Sequence, residues 1–197
     1  TTVTPVSVSL PVLVTVTDSN YSGSKSGTLT IAKANPTISS APTLSTITYG
    51  QALSAATISG GVTFPAGTFA FVSPGTTPSA GSSQNFDVRF TPTDTNNYNE
   101  GIRPMAITVN KATLKVTADD KSRSVGQGNP ALTLQYEGFI PGESSGVLLA
   151  QPTVATAAHV GSPAGTYPIT VSGGSADNYV FNYVAGTLTV SSAAGPA

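Results

Sequence analysis

Residues 88–112, VRFTPTDTNNYNEGIRPMAITVNKA, decide the fold, because they contain a strand, an Asx-rich turn and a second strand. Apolar residues alternate with polar ones before the turn, at Val88 and Phe90, and again after it, at Ile107 and Val109. Alternation with a period of two places one face of a strand on a core and the other face in water. The segment therefore predicts a β-hairpin with one buried face.

The hairpin pattern occurs three times along the chain. An Asn-Tyr pair marks each turn, at Tyr21, Tyr98 and Tyr179, so the spacings are 98 − 21 = 77 and 179 − 98 = 81 residues. A period of this length indicates small domains in tandem rather than a solenoid. We predict four segments: residues 1–33, the C-terminal hairpin of a preceding module that begins before Thr1, or a donor strand; residues 34–111 and 112–192, two complete modules; and residues 193–197, a tail.

Composition excludes several classes of protein. The formal net charge is −1, so no strong field draws nucleic acid or an anionic membrane to the chain. There is no cysteine, which excludes cysteine nucleophiles and thiolate metal sites. No apolar run reaches the roughly 18 residues that a membrane span needs. The sequence thus predicts neither a nucleic-acid partner nor a transmembrane segment.

Turn residues indicate an all-β fold. Gly- and Pro-rich turns separate many short strands, and no amphipathic helix is visible. This pattern predicts tandem Ig-like antiparallel β-sandwiches. The junctions Lys33-Ala34 and Lys111-Ala112 leave almost no linker, so we expect an elongated, semi-rigid rod.

Two groups of motifs carry a resemblance to known families. YGQALS at 49–54, FTPTDTNNYN at 90–99 and VNKA at 109–112 resemble the bacterial Ig-like repeats of large surface proteins. The second group of motifs resembles the MBG-type module: LKVTADDK at 114–121, GNPAL at 128–132, AGTYPI at 164–169 and GTLTV at 186–190. One departure is Val125 before Gly126, where an aromatic is expected.

The resemblance implies a function as well as a fold. MBG-type modules accompany Ig-like repeats in adhesin-like extracellular proteins. It therefore implies a non-enzymatic structural or spacer segment at a bacterial cell surface, with neighbouring Ig-like modules as partners and no cofactor.

Few residues are candidates for chemistry. His159 is the only histidine, and its neighbours do not resemble a nucleophile elbow, so we interpret it as a loop or surface residue and predict no catalytic or cofactor-binding residue. Asp119 and Asp120 form the only adjacent acidic pair and are candidate calcium ligands, since Ca²⁺ takes several oxygen ligands. A solvated turn beside Lys121 and Arg123 is the simpler interpretation, and it predicts no metal.

The turn tyrosines Tyr21, Tyr98 and Tyr179 could stack on a sugar, but their repetition favours a structural role. In that role each ring covers one end of a core, and its hydroxyl bonds locally. We predict that alanine at Tyr98 or Tyr179 destabilises its module by about 2–4 kcal/mol.

Two other functions stay open. The chain could be a self-assembling filament subunit, joined by β-strand donation through residues 1–17, with copies of itself as partners. Alternatively, loops at one end of a sandwich could bind a surface glycan or a protein.

Overall fold

The computed structural model describes residues 7–18 and 20–192, and it confirms the all-β class. Short 3₁₀ turns lie at Leu53–Ala55 and Ser145–Val147. The strands are, in chain order, β1 (Ser7–Asp18), β2 (Tyr21–Ala32), β3 (Thr37–Ser40), β4 (Thr43–Leu44), β5 (Ile47–Thr48), β6 (Ile58–Ser59), β7 (Val62–Phe64), β8 (Gly67–Phe71), β9 (Gly81–Pro92), β10 (Gly101–Asn110), β11 (Ala112–Ala118), β12 (Lys121–Ser124), β13 (Leu134–Glu137), β14 (Ala150–Thr156), β15 (Gly165–Ser175), β16 (Tyr179–Val184) and β17 (Gly186–Ser191).

The chain forms two compact units. Unit 1 comprises residues up to 45, 56–74 and 85–106, and unit 2 comprises 46–55, 75–84 and 107 onward. Strands β9 and β10 contribute residues to both units. The domain boundaries after residues 33 and 111 stay a prediction.

The first copy of the repeat is a long hairpin in unit 1. Strand β1 pairs with β2 in antiparallel fashion along its whole length, from Ser7 opposite Ala32 to Asp18 opposite Tyr21. Within residues 7–18 and 20–192 these two strands form a sheet of their own.

The remaining part of unit 1 has its core on β8 and β9. These strands pair in antiparallel fashion, with Phe71 opposite Val88. Phe71, Val88 and Phe90 are buried, and the Phe69 and Phe90 rings lie 5.1 Å apart. The apolar alternation that predicted the hairpin therefore does mark the buried face of β9.

Unit 2 contains two larger sheets with mixed strand directions. One has the order β13-β11-β16 and the other β12-β17-β15-β14. Strand β11 runs parallel to β16, and β12 runs parallel to β17, whereas the other pairings in these two sheets are antiparallel. Alternation along a strand does not distinguish the two directions, so the sequence predicted antiparallel sheets only.

The core of unit 2 lies between these strands. Alternate residues of β11 and β17 are buried, as the period-two pattern predicts. The buried residues fall into two clusters: Ala112, Leu114, Val116, Leu148, Ala176 and Tyr179 in the first, and Ala118, Ala158, Ile169, Leu188 and Val190 in the second.

Candidate functional site

Tyr179 is the centre of the most extensive aromatic and polar cluster in unit 2. It opens β16, where it lies opposite Ala112 of β11, and only 3% of its surface is exposed. Its ring packs edge-on against Tyr49 at 5.5 Å and against Phe139 at 5.4 Å. Edge-to-face pairs at these distances contribute about 0.5–1.5 kcal/mol each beyond burial alone. The three rings therefore fasten the start of β16 to two loops.

The hydroxyl of Tyr179 has two partners. It accepts a hydrogen bond from the backbone N–H of Ile140 at 2.9 Å and donates one to Glu143 Oε2. The hydroxyl of Tyr49 donates to the other carboxylate oxygen, Oε1. One carboxylate thus joins two tyrosines that come from distant parts of the chain, and we call Tyr49, Phe139, Glu143 and Tyr179 the tyrosine cluster.

The cluster holds its phenols in the protonated form. Burial, together with the hydrogen bond to Glu143, raises the pKa of Tyr179 to about 12. The hydrogen bond to Glu143 is the main cause that raises the pKa of Tyr49. Both hydroxyls are therefore donors at neutral pH, and neither is poised to act as a nucleophile or general base.

Gly50 allows the close approach of Tyr49 to the cluster. Its φ is +90°, and a Cβ atom built there would lie 2.4 Å from Ile140 Cδ1. Glycine is the residue that adopts this conformation without a steric cost. The Tyr49-Gly50-Gln51 motif, singled out from the sequence, is thus the part of the chain that packs on the loop of Phe139 and Ile140.

The other two turn tyrosines lie in different surroundings. Tyr98 is half-buried in unit 1, forms an isolated bridge with Ala34 and packs edge-on against Phe64 at 6.1 Å. Tyr21 opens β2, and its side chain lies outside the described part of the structure. The structural role of the three turn tyrosines stays a prediction. The structure describes the rings of Tyr98 and Tyr179, and of these two only the ring of Tyr179 is fully buried.

Asp119 and Asp120 bond to separate partners. Asp119 accepts hydrogen bonds from the Thr133 hydroxyl and from Gln135, and its carboxylate lies 3.8 Å from Lys121 Nζ. The Thr133 hydrogen bond is the main cause that lowers the pKa of Asp119. Asp120 Oδ1 accepts the backbone N–H of Thr187 at 2.7 Å. Within residues 7–18 and 20–192, no group of three or more His, Cys, Asp or Glu side chains is placed to hold a metal ion.

His159 is exposed in a turn. Within that turn it forms hydrogen bonds through its backbone and one ring nitrogen. Its N–H donates to Ser162 Oγ at 2.9 Å, and its Nδ1 accepts from the backbone of Gly161 at 3.2 Å. A nucleophilic triad needs the serine hydroxyl bonded to the imidazole instead. The turn thus uses these side chains to hold its own backbone.

Arg123 is a residue whose importance the sequence did not reveal. It is only 8% exposed, although its neighbours suggested a solvated turn. Its guanidinium donates to Asn129 Oδ1 at 2.7 Å, to the carbonyl of His159 at 2.6 Å and to that of Ser124 at 3.1 Å. Five donors in a rigid fork suit such a role. A single arginine within a short strand gives no periodic signal that would have identified it.

Replacing Arg123 with methionine is expected to lower the free energy of unfolding by about 2–4 kcal/mol, because a buried guanidinium loses three part-buried hydrogen bonds. Chemical denaturation of both proteins measures this difference. The control is Lys115→Met, which removes an exposed ion pair with Glu137 at 3.0 Å and should cost less than about 1 kcal/mol. Equal losses for the two variants would contradict the anchoring role.

The tyrosine cluster predicts a loss of stability at alkaline pH. An unfolded tyrosine ionises near pH 10, whereas Tyr179 in the fold keeps its proton to about pH 12. Between these values the native state binds more protons than the unfolded state, so stability falls as pH rises, and it is fully present below pH 10. Urea unfolding from pH 9 to 12 should show a steeper fall for the natural chain than for Tyr179→Phe. Tyr167→Phe, which removes a hydroxyl bonded to the Pro163 carbonyl, is the control and should keep the natural slope.

Comparison with known proteins agrees with the resemblance. Residues 114–189 match the family model described as MBG domain (YGX type), and residues 2–35 match a model described as MBG domain. No curated protein matches the chain, and no solved structure does. The resemblance of residues 34–111 to bacterial Ig-like repeats stays a prediction. In the described residues no helix is long and apolar enough to cross a membrane. The chain thus carries two MBG-type modules or parts of them, and the tyrosine cluster is built largely from the one at residues 114–189.

Proposed function

We propose that the chain is a non-enzymatic, extracellular structural segment of an adhesin-like bacterial surface protein. The observation that carries the proposal is the match of residues 114–189 to the MBG domain. Modules of this family are typical of large surface proteins. In such a protein the segment would space or present other modules, and its partners would be the Ig-like modules beside it.

The use of polar side chains supports a structural role. Glu143 joins two tyrosines, Arg123 anchors a turn, and Asp120 accepts a backbone N–H at the start of β17. Each of these side chains is hydrogen-bonded to a partner within its own unit, whereas a catalytic group needs access to a substrate. The hydrogen bonds therefore support a scaffold rather than an active site.

Labelling of intact cells tests the location. An antibody raised against the whole chain should bind the producing bacterium without permeabilisation, and a protease added outside should remove the signal. Labelling that appears only after permeabilisation would contradict an extracellular segment. A screen for turnover of common glycans and esters tests whether the segment is non-enzymatic. Turnover that a single point substitution abolishes would overturn this part of the proposal.

Self-assembly through the first hairpin is a second candidate function. Leu10, Val12 and Val14 of β1 are 40–61% exposed in the described structure, although they continue a regular apolar alternation. Strand donation through residues 1–17 would cover them and join copies into a filament. Deleting residues 1–17 should abolish filaments or oligomers seen by electron microscopy and sedimentation, while a monomer before and after deletion would end this hypothesis.

A further inference from the structure

Two segments that precede the MBG match in sequence belong to unit 2. They are Thr46–Ala55 and Gly75–Gln84, and unit 2 combines them with the chain from Ile107 onward. The family match begins only at residue 114, and the sequence repeat assigns both segments to the module at 34–111. We call these two segments the paired loops. Unit 2 therefore contains more of the chain than the MBG module that the sequence indicates.

The paired loops are held to each other. The backbone N–H of Leu53 donates to the carbonyl of Thr76 at 2.9 Å, which joins one loop to the other. The side chain of Leu53 is 1% exposed, so it is among the most fully buried side chains in the described residues. Removal of an apolar side chain from water favours the packed state. The paired loops thus form one packed element rather than two independent surface turns.

The second of the paired loops bonds to the residue before Tyr179. The N–H of Ala80 donates to Asn178 Oδ1 at 2.9 Å, a hydrogen bond between residues that are 98 positions apart in sequence. The backbone carbonyl of Asn178 accepts the N–H of Ala112, also at 2.9 Å, at the start of β11. Asn178 therefore connects the second loop to the start of β11 and to the start of β16.

The first of the paired loops covers part of the core of unit 2. The N–H of Tyr49 donates to the carbonyl of Asn110 at 2.8 Å, and its side chain packs against the core cluster that contains Leu114 and Val116. The Tyr49 hydroxyl donates to Glu143. A module of about 80 residues buries a small core and has a small net stability. The loss of one covering element would therefore remove a large fraction of what stabilises the module.

We propose that the paired loops are an integral part of the folding unit of the MBG module. The end of the module formed by Phe139, Glu143, Asn178 and Tyr179 is a docking surface, and its partner is the loop pair of the preceding repeat. This surface recognises a tyrosine hydroxyl at the carboxylate, a glycine of positive φ against Ile140 and a backbone N–H at the asparagine side chain. The module reaches its full stability only with the paired loops in place. The inference holds wherever the parent protein is located.

A module that folds alone and carries the loops on its surface predicts a different pattern of hydrogen exchange. In that case the loops open while the module stays closed, and their amides lose protection first. If the loops belong to the folding unit, their amides are released only when the module opens. Comparing the amides of Leu53 and Ala80 with those of β11, the middle strand of its sheet, distinguishes the two cases.

Native-state hydrogen exchange of the full chain in low concentrations of urea makes this comparison. Opening that exposes a large surface becomes more frequent as urea rises, whereas local opening hardly responds. The exchange rates of Leu53 and Ala80 should rise with urea as steeply as the rates of the β11 amides. A shallower rise at Leu53 and Ala80 would overturn the proposal, because the loops would then open by themselves.

The same substitution in two cores tests the coupling from the module to the loops. Val116→Ala removes buried methyl groups from β11 in unit 2, and Val88→Ala makes this change in the part of β9 that lies in unit 1. Val116→Ala should speed exchange at Leu53 and Ala80 about tenfold or more, by the same factor as in β11, whereas Val88→Ala should change it less than about threefold. Ile169→Val is a milder change in unit 2 that serves if Val116→Ala does not fold, and it should also act by one common factor. Different factors at the loops and β11, or equal effects of the two Val→Ala changes on the loops, would overturn the proposal.

Two tyrosines of one sequence repeat test the coupling from the loops to the module. Tyr49 and Tyr98 are both half-buried, but Tyr49 lies in unit 2 and Tyr98 in unit 1. In the full chain, Tyr49→Ala should speed exchange of the β11 and β16 amides about tenfold or more, whereas Tyr98→Ala should act on β8 instead. Loss of the folded signals of unit 2 alone in Tyr49→Ala would also support the proposal. A smaller effect of Tyr49→Ala on β11, or an equal effect of the two variants there, would overturn it.

Discussion

Replacing Tyr179 with alanine is expected to lower the free energy of unfolding of unit 2 by about 3–5 kcal/mol, which is more than the sequence alone predicted, because the ring is only 3% exposed. Loss of a fully buried aromatic ring leaves a cavity and costs this much in other proteins. The same change leaves the N–H of Ile140 without its acceptor and Glu143 without one of its donors. Urea denaturation monitored by circular dichroism and by tyrosine fluorescence measures the loss.

Two variants separate the contributions to that loss. Tyr179→Phe keeps the ring and removes the hydroxyl, so it should cost about 1–3 kcal/mol. Tyr98→Ala removes a half-buried ring and should cost less than Tyr179→Ala, although the sequence repeat treats the two positions alike. An unchanged midpoint for Tyr179→Ala would show that the ring does not stabilise the fold.

Replacing Gly186 with alanine is the second substitution with a large expected effect. A Cβ atom at Gly186 would lie 2.5 Å from the carbonyl oxygen of Ala118 and 3.0 Å from that of Asp119. Both neighbours are backbone, so relief of the clash requires β17 or the end of β11 to move. We expect a loss of about 1–3 kcal/mol or more in the free energy of unfolding.

The matched control for Gly186 is Gly128→Ala. A Cβ atom at Gly128 would meet nothing within 4 Å, and the backbone there has no positive φ. The same chemical change should therefore be neutral or slightly stabilising, because it reduces the freedom of the unfolded chain. Similar losses for the two variants would mean that close packing at Gly186 is not the cause.

Local patterns in the sequence predicted the strands and their buried faces. Alternation identified Val88 and Phe90, and also Leu188 and Val190, all of which are buried. Leu29 follows the same pattern and is exposed, because its burial depends on a strand that local alternation does not specify. Periodicity thus predicts which face is apolar, while burial depends on what lies next to it.

The tyrosine cluster could not be predicted, because its members are far apart in sequence. Tyr49 and Glu143 are separated by 94 residues, and the repeat had suggested placing Tyr49 in another module. Glu143 had no signal beyond lying near an apolar turn. The buried position of Arg123 could not be predicted either, since its three acceptors include two backbone carbonyls that any residue type could supply.

The parallel pairing of β12 with β17 has a mechanical consequence. These strands lie near the two ends of the MBG module, so a force that pulls on residues 112 and 191 draws them along each other in opposite directions. Their hydrogen bonds are then loaded together in shear. In the hairpin of β1 and β2, Ser7 and Ala32 lie side by side, and the same pull would open the hydrogen bonds one pair at a time. In single-molecule stretching we expect the hairpin to yield at low force and the module to resist until its hydrogen bonds break at once.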